Sequence, residues 1–110
     1  MNRAKKIELI SKTFTTNAIG ERIPTYKGNE VFAVVDSLGQ REFYLAGEQG
    51  FKAEGKLLVR FNDYHDEERL LMDGYIYTIY RTFGREDGQI ELYLTERVGN
   101  GDMTVGDLHE

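Results

Sequence analysis

The chain contains no cysteine and no tryptophan, and it has one proline among 110 residues. The missing thiols exclude disulfide frameworks, thiolate zinc sites, iron–sulfur clusters and cysteine nucleophiles together, and they fit a reducing cytoplasm. No apolar run approaches the roughly 18 residues needed to cross a bilayer, so no membrane association is expected. The basic start at Arg3, Lys5 and Lys6 is interrupted by Glu8, Ser11 and Lys12 before a signal-type apolar core can develop, and secretion is not expected. Positive charge is also short. With 14 basic and 19 acidic side chains the net charge is −5, which works against general binding to a phosphate backbone.

What is present is β-forming sequence at the length of one domain. Residues 6–16 carry Ile7, Leu9, Ile10 and then Thr13, Phe14, Thr15 and Thr16, and read as a first strand bounded by Asn17 and Gly20. Residues 17–29 hold Gly20, Pro24 and Gly28-Asn29 and read as a turn-rich excursion, with at most a short edge segment at 22–26. Residues 30–36 place apolar side chains on both alternating faces, the pattern of a central strand covered on both sides. In 40–47 the spacing of Phe43, Ala46 and Gly47 suits a short helix. Three glycines in 47–55 with few apolar anchors predict a long mobile loop. Strand character returns at 56–61, with Leu57, Val59 and Phe61 on one face.

The strongest local signal is Asp73-Gly74 between two alternating apolar runs, which predicts a type I′ hairpin. Its register puts Leu70, Met72, Tyr75, Tyr77 and Ile79 on one face, taken as the core face, and Leu71, Ile76, Thr78 and Tyr80 on the other. Another turn at 84–88 leads to a strand in which Ile90, Leu92 and Leu94 alternate with Glu91, Tyr93 and Thr95. The fold class is therefore mainly β: a small antiparallel barrel or sandwich of about six strands, with one short helix and one long loop. The domain is expected to span 1–98, followed by a flexible acidic tail over 99–110.

No pattern in the chain assembles catalytic, cofactor or metal chemistry. The run 50–56 resembles a phosphate-binding loop, but Leu57 stands where a Ser or Thr would hold magnesium, and the segment leads into a strand instead of a helix. The run Asp63-Tyr64-His65-Asp66-Glu67-Glu68 crowds its oxygen and imidazole groups together, without the spacing that converges ligands on one ion, and reads as a solvated acidic loop. Ser11 and Ser37 are the only serines, and neither lies in a Gly-x-Ser-x-Gly turn. Tyr75, Tyr77, Tyr80 and Tyr93 on a curved sheet could stack bases, which leaves a small β-barrel module for single-stranded nucleic acid or a peptide as an alternative.

Taken in order, several short segments resemble one family. Ser37-Leu38-Gly39-Gln40-Arg41-Glu42-Phe43-Tyr44-Leu45-Ala46 is similar to a Ser-x(n)-Glu-x-x-x-Ala segment, with Glu42 and Ala46 at its marked positions. Leu58-Val59-Arg60-Phe61 supplies an Arg-aromatic pair, and Asp73-Gly74-Tyr75-Ile76-Tyr77-Thr78-Ile79 looks like an Asp-Gly-x-x-Tyr-x-Ile hairpin. Together the stretch from Ile7 to Arg97 resembles the head-tail joining proteins of tailed bacteriophages, also called head-closure or head-tail adaptor proteins. The resemblance implies a structural, non-enzymatic virion protein that self-associates into a ring below the portal. Such a ring retains DNA, which passes its channel without sequence recognition, and docks the tail. The implied partners are the portal or adaptor ring and tail proteins, and the implied location is the virion neck, after a stage in the bacterial host cytoplasm. A tail-terminator or tail-completion protein is the related alternative. On this reading Arg41, Glu42, Tyr44, Glu48, Phe51 and Lys52 form the candidate assembly surface, and Leu70, Met72, Asp73, Gly74, Tyr77 and Ile79 form the hairpin scaffold that supports it.

Overall fold

A computed structural model describes residues 3–97, and in it Asp73 and Gly74 both adopt positive φ, 53° and 83°. That geometry is the one a type I′ link needs, and it joins β4 (Arg69–Met72) to β5 (Tyr75–Gly84) with Met72 opposite Tyr75 and Leu70 opposite Tyr77, the register expected from sequence. β6 (Gln89–Arg97) follows through a turn in which Gly88 has φ 82° and Arg85 N–H donates to the Gln89 carbonyl at 2.8 Å.

At the other end of the chain, β1 (Arg3–Thr16) and β2 (Arg22–Asp36) form a long hairpin paired over its whole length, from Arg3 opposite Val35 to Thr16 opposite Arg22. Next come α1 (Gln40–Glu48), β3 (Ala53–Arg60) and a single 3-10 turn at Phe61–Asp63. All ladders are antiparallel and close on themselves in the order β1-β2-β3-β6-β5-β4, so the architecture is a six-stranded closed barrel. Among the described residues no helix is long and apolar enough to cross a membrane.

Alternation fills the barrel. Ile7, Leu9, Val31, Ala33, Leu57, Val59, Leu70, Ile90, Leu92 and Leu94 point inward and are buried, with Val35, Tyr64, Met72, Tyr77 and Ile79 packed against them. Six strands enclose only enough room for side chains, so this interior is a packed core.

Several local expectations change. The strand expected at 30–36 is the second half of β2, and the segment 17–29 is mostly strand, not an excursion. Asn17 and Glu21 share a backbone bond of 3.0 Å, so the antiparallel alternation makes Phe14 opposite Pro24 a non-bonded pair. The nitrogen of Pro24 therefore faces the outer edge of β2, where its missing hydrogen breaks no bond. Phe32 is 70% exposed, so β2 is wet on its outer face and not covered on both sides. Phe61 falls in the 3-10 turn and is exposed instead of continuing the core face of β3.

The glycine-rich stretch 47–55 is mostly taken up by elements: α1 runs to Glu48 and β3 starts at Ala53, leaving 49–52 as the connection. Tyr75 leaves the core face at the hairpin end and is exposed. Leu71 and Ile76, placed on the opposite face, are buried with Ile10 in a second cluster outside the barrel, to which Tyr26 adds its ring. The acidic segment 99–110 lies outside the described residues.

Candidate functional site

A β-bulge in β5 sets up the densest polar contact on the outer wall. The register of β5 against β6 shifts between Ile79 and Arg81, so Ile79 packs inward while both Tyr80 and Arg81 reach the same carboxylate outside. The Tyr80 hydroxyl donates to Glu42 Oε2 at 2.7 Å, and the Arg81 guanidinium donates to Glu42 Oε1. Phe51 stacks on Tyr80 with ring centroids 5.1 Å apart, and Arg81 lies 3.9 Å from the centroid of Tyr93. Tyr93 completes the set by donating to Glu91.

Partial burial opposes ionisation of Glu42, but the hydrogen bonds from Arg81 and Tyr80 outweigh it and hold this carboxyl below the usual carboxylate range. The Tyr93 hydroxyl is pushed up to about 12, first by burial and then by its bond to Glu91.

These contacts divide the six candidate surface residues. Glu42 and Phe51 anchor α1 and the connection after it to the barrel wall, and the Lys52 carbonyl accepts from the Thr95 hydroxyl at 3.1 Å. Arg41, Tyr44 and Glu48 stand in solvent, Tyr44 at 67% exposure. Phe43 and Leu45, which sequence reading left out, are also exposed on this helix. Of the hairpin residues, Leu70 is buried in the barrel core and Met72, Tyr77 and Ile79 pack against it, while Asp73 at the tip is tied back to Lys5 on β1 by an ion pair. Tyr80 and Tyr93 are engaged by Glu42, Phe51 and Arg81, and Tyr77 packs inward, so the four tyrosines do not form an open stacking platform.

The feature that sequence reading missed is the arm. Among the described residues β1 meets β4 only at Glu8, Leu9 and Ile10, and β2 meets β3 only at Val34, Val35 and Asp36. Residues 11–16 and 22–28 therefore leave the barrel as a two-stranded ribbon about 20 Å long, at roughly 3.4 Å per residue. A five-residue turn closes its far end. Asn17 Oδ1 accepts from the N–H groups of Ile19 at 3.0 Å and Glu21 at 2.9 Å, and Gly20 supplies φ 86°.

On one face of the ribbon cations alternate with aromatic rings. Arg22 lies 4.3 Å from the centroid of Phe14, and Lys12 lies 5.3 Å from Phe14 and 5.8 Å from Tyr26. The other face is lined by Ser11, Thr13 and Thr25, whose neighbouring carbonyls accept from the Ser11 and Thr13 hydroxyls. Phe14, Ile19 and Ile23 are 48%, 79% and 43% exposed, a concentration of apolar surface at the tip of a charged protein. The signal for this element was in the sequence: Asn17 and Gly20 lie midway between two runs that both alternate.

At the base of the arm, Ser11, Lys12 and Tyr26 face His65, Asp66, Glu67, Glu68 and Arg69 across a groove of about 350 Å³. Glu67 is buried and holds the loop in shape: its carboxylate accepts from the His65 N–H at 2.6 Å, and its carbonyl accepts from the Tyr64 hydroxyl at 2.7 Å. Among the described residues no group of three or more carboxylate or imidazole side chains is placed to hold a metal ion. No protein-family model matches the chain, and no curated protein matches it in sequence.

Proposed function

We propose that this chain is a structural assembly protein of a phage neck, a head-tail joining component that works by ring formation and docking. The observation that carries the reading is the arm: a barrel whose interior is filled extends a two-stranded ribbon whose long edges pair with no other strand among the described residues. A two-stranded ribbon is marginal by itself in water, so a chain that keeps one gains by ordering it against a partner. The exposed aromatic and aliphatic side chains of α1 offer a second contact surface on the wall of the same barrel. Supporting the reading further is the ordered resemblance of the segments from Ser37 to Ala46 and from Asp73 to Ile79. Packaged DNA passes such a ring without base readout, which suits an acidic molecule in which Lys12, Arg22, Lys56 and Arg81 are engaged by rings and carboxylates.

The direct test adds the purified chain to DNA-filled phage heads arrested before tail joining. Retained DNA and restored tail attachment are expected. Heads that neither bind the chain nor hold their DNA better in its presence would overturn the proposal. Tight, salt-dependent binding of a labelled oligonucleotide by the free chain would favour the nucleic-acid module instead.

A further inference from the structure

The direction of the arm's backbone groups can be read residue by residue. Because Asn17 and Glu21 form a bonded pair, the bonded pairs below it fall at 15:23, 13:25 and 11:27. The N–H and C=O groups of Lys12, Phe14 and Thr16 therefore point away from β2, along the same edge on which Glu8 and Ile10 face β4. On the opposite edge the outward groups belong to Arg22, Pro24, Tyr26, Gly28, Glu30 and Phe32, until Val34 reaches β3. Pro24 offers no donor, so the uninterrupted part of that edge runs from Tyr26 to Phe32.

We infer that a second copy of this chain occupies the open edge: β2 of one copy adds to β1 of the next, and successive arms join into one continuous antiparallel sheet. One register uses all three outward residues of β1 and avoids Pro24. It sets Lys12 opposite Glu30 of the next copy, Phe14 opposite its Gly28 and Thr16 opposite its Tyr26. Opposite charges directly across an antiparallel pair stabilise it, and like charges oppose it. Within its own copy Glu30 stands across from Glu8, a like-charge pair, and Lys6 approaches it only to 4.0 Å with both side chains more than half exposed. Lys12 in its own copy stands across from Tyr26 and lies over the rings of Phe14 and Tyr26.

Charge also separates the arm from the rest of the molecule. Residues 11–28 carry Lys12, Arg22 and Lys27 against Glu21 alone, on a chain whose net charge is −5. Joining β2 to β1 is a heterologous contact, so it propagates from copy to copy and closes when the rotation per copy allows. The four-residue stagger between neighbouring arms is the kind of shear that a closed array of tilted strands requires. Only the closure into a ring rests on the neck-protein reading above.

The test is a charge swap in the full chain, read by sedimentation velocity or native mass spectrometry over a concentration series. Wild type is expected to associate. Lys12→Glu and Glu30→Lys should each move the association midpoint at least about tenfold to higher concentration, and the double variant should return it to within about threefold of wild type. The two residues are not partners within one copy, so rescue can arise only between copies. Wild type that stays monomeric throughout, single variants that associate like wild type, or a double variant weaker than either single would overturn the inference.

The chain has no native cysteine, which makes cross-linking decisive as a second measurement. An oxidised mixture of Thr16→Cys and Tyr26→Cys chains should give the mixed dimer in excess over either homodimer, since facing Cα atoms of a bonded pair lie about 5.5 Å apart. Homodimers of Thr16→Cys in excess would overturn the β2-to-β1 arrangement. Edge cross-linking without any binding to phage heads would overturn the neck-protein reading and leave this inference standing. Head binding without edge cross-linking would do the reverse.

Discussion

The barrel and the arm are built from the same two strands, β1 and β2, yet they differ in what covers them. In the barrel half, Ile7, Leu9, Val31 and Ala33 alternate inward and are buried by four other strands. In the arm half, Thr13, Phe14, Thr15, Ile23 and Thr25 alternate just as well and are exposed on both faces. Alternation therefore reports strand, and says nothing about whether a core lies on either side. The physical difference is closure: β3 and β4 end below the arm, so the ladder that excludes water from β1 and β2 stops at Ile10 and Val34. The barrel half is held by burial, and the arm half by backbone bonds, two hydroxyl bonds and ring contacts.

Truncating the barrel core should break this comparison most visibly. Leu92 is fully buried in the central cluster. Leu92→Ala should lower the free energy of unfolding by about 3 kcal/mol, within the 2–5 kcal/mol typical of such cavities. Denaturant titration measures it, and a loss under 1 kcal/mol would mean that the barrel centre is not a packed core.

The Asp73-Gly74 link tests a different support of the same half. Gly74 has φ 83° and open space where a Cβ would stand, so Gly74→Ala introduces backbone strain and no clash. About 1–2 kcal/mol is expected from the left-handed conformation alone. An unchanged denaturation midpoint would show that the hairpin relaxes to another turn.

The turn type and register of the Asp-Gly hairpin were legible, because both follow from residues adjacent in sequence, and its core face held for Leu70, Met72, Tyr77 and Ile79 but not for Tyr75. The helix was legible as an element through Phe43 and Ala46, but its anchoring was not: Tyr80 and Arg81 reach Glu42 together only because a bulge breaks the alternation that sequence reading assumes. The arm was hidden for a third reason. Pro24 and Gly28 signal turns in most contexts, and their tolerance here depends on the pairing parity set by Asn17 and Glu21, seven and three residues upstream of Pro24. Burial of Leu71 and Ile76 escaped because their cover, Ile10 and Tyr26, comes from the distant first hairpin.

The Glu42 anchor sharpens the comparison through pH. Its carboxyl lies below the ordinary range when folded, so the folded state holds that proton less readily than the unfolded chain. The resulting stabilisation is fully present above the unfolded value and is lost as pH falls through the folded one. Glu42→Gln should cost about 1.5 kcal/mol near neutral pH, the lower end of the scale for hydrogen bonds to a charged group. Its stability should also fall less steeply than that of wild type on acidification. Parallel pH profiles would show that the anchor does not titrate with folding.

The smallest effect on stability, and the most telling about the arm, is expected at Phe14 and Ile23. Phe14→Ala and Ile23→Ser remove exposed apolar surface from a ribbon that no core supports, so global unfolding should shift by no more than about 0.5 kcal/mol. Hydrogen exchange at low concentration should then find the inward-bonded amides of Thr13 and Thr15 opening well before that of Leu92, as expected for a segment with few buried contacts. Raising the protein concentration separates an arm that is merely loose from one that waits for its own kind. Protection should grow at Lys12, Phe14 and Thr16, whose amides face outward, while that of Leu92 stays constant. If all of these amides stay equally protected at every concentration, the arm is as rigid alone as the barrel, and the contrast between the two halves of β1 and β2 fails.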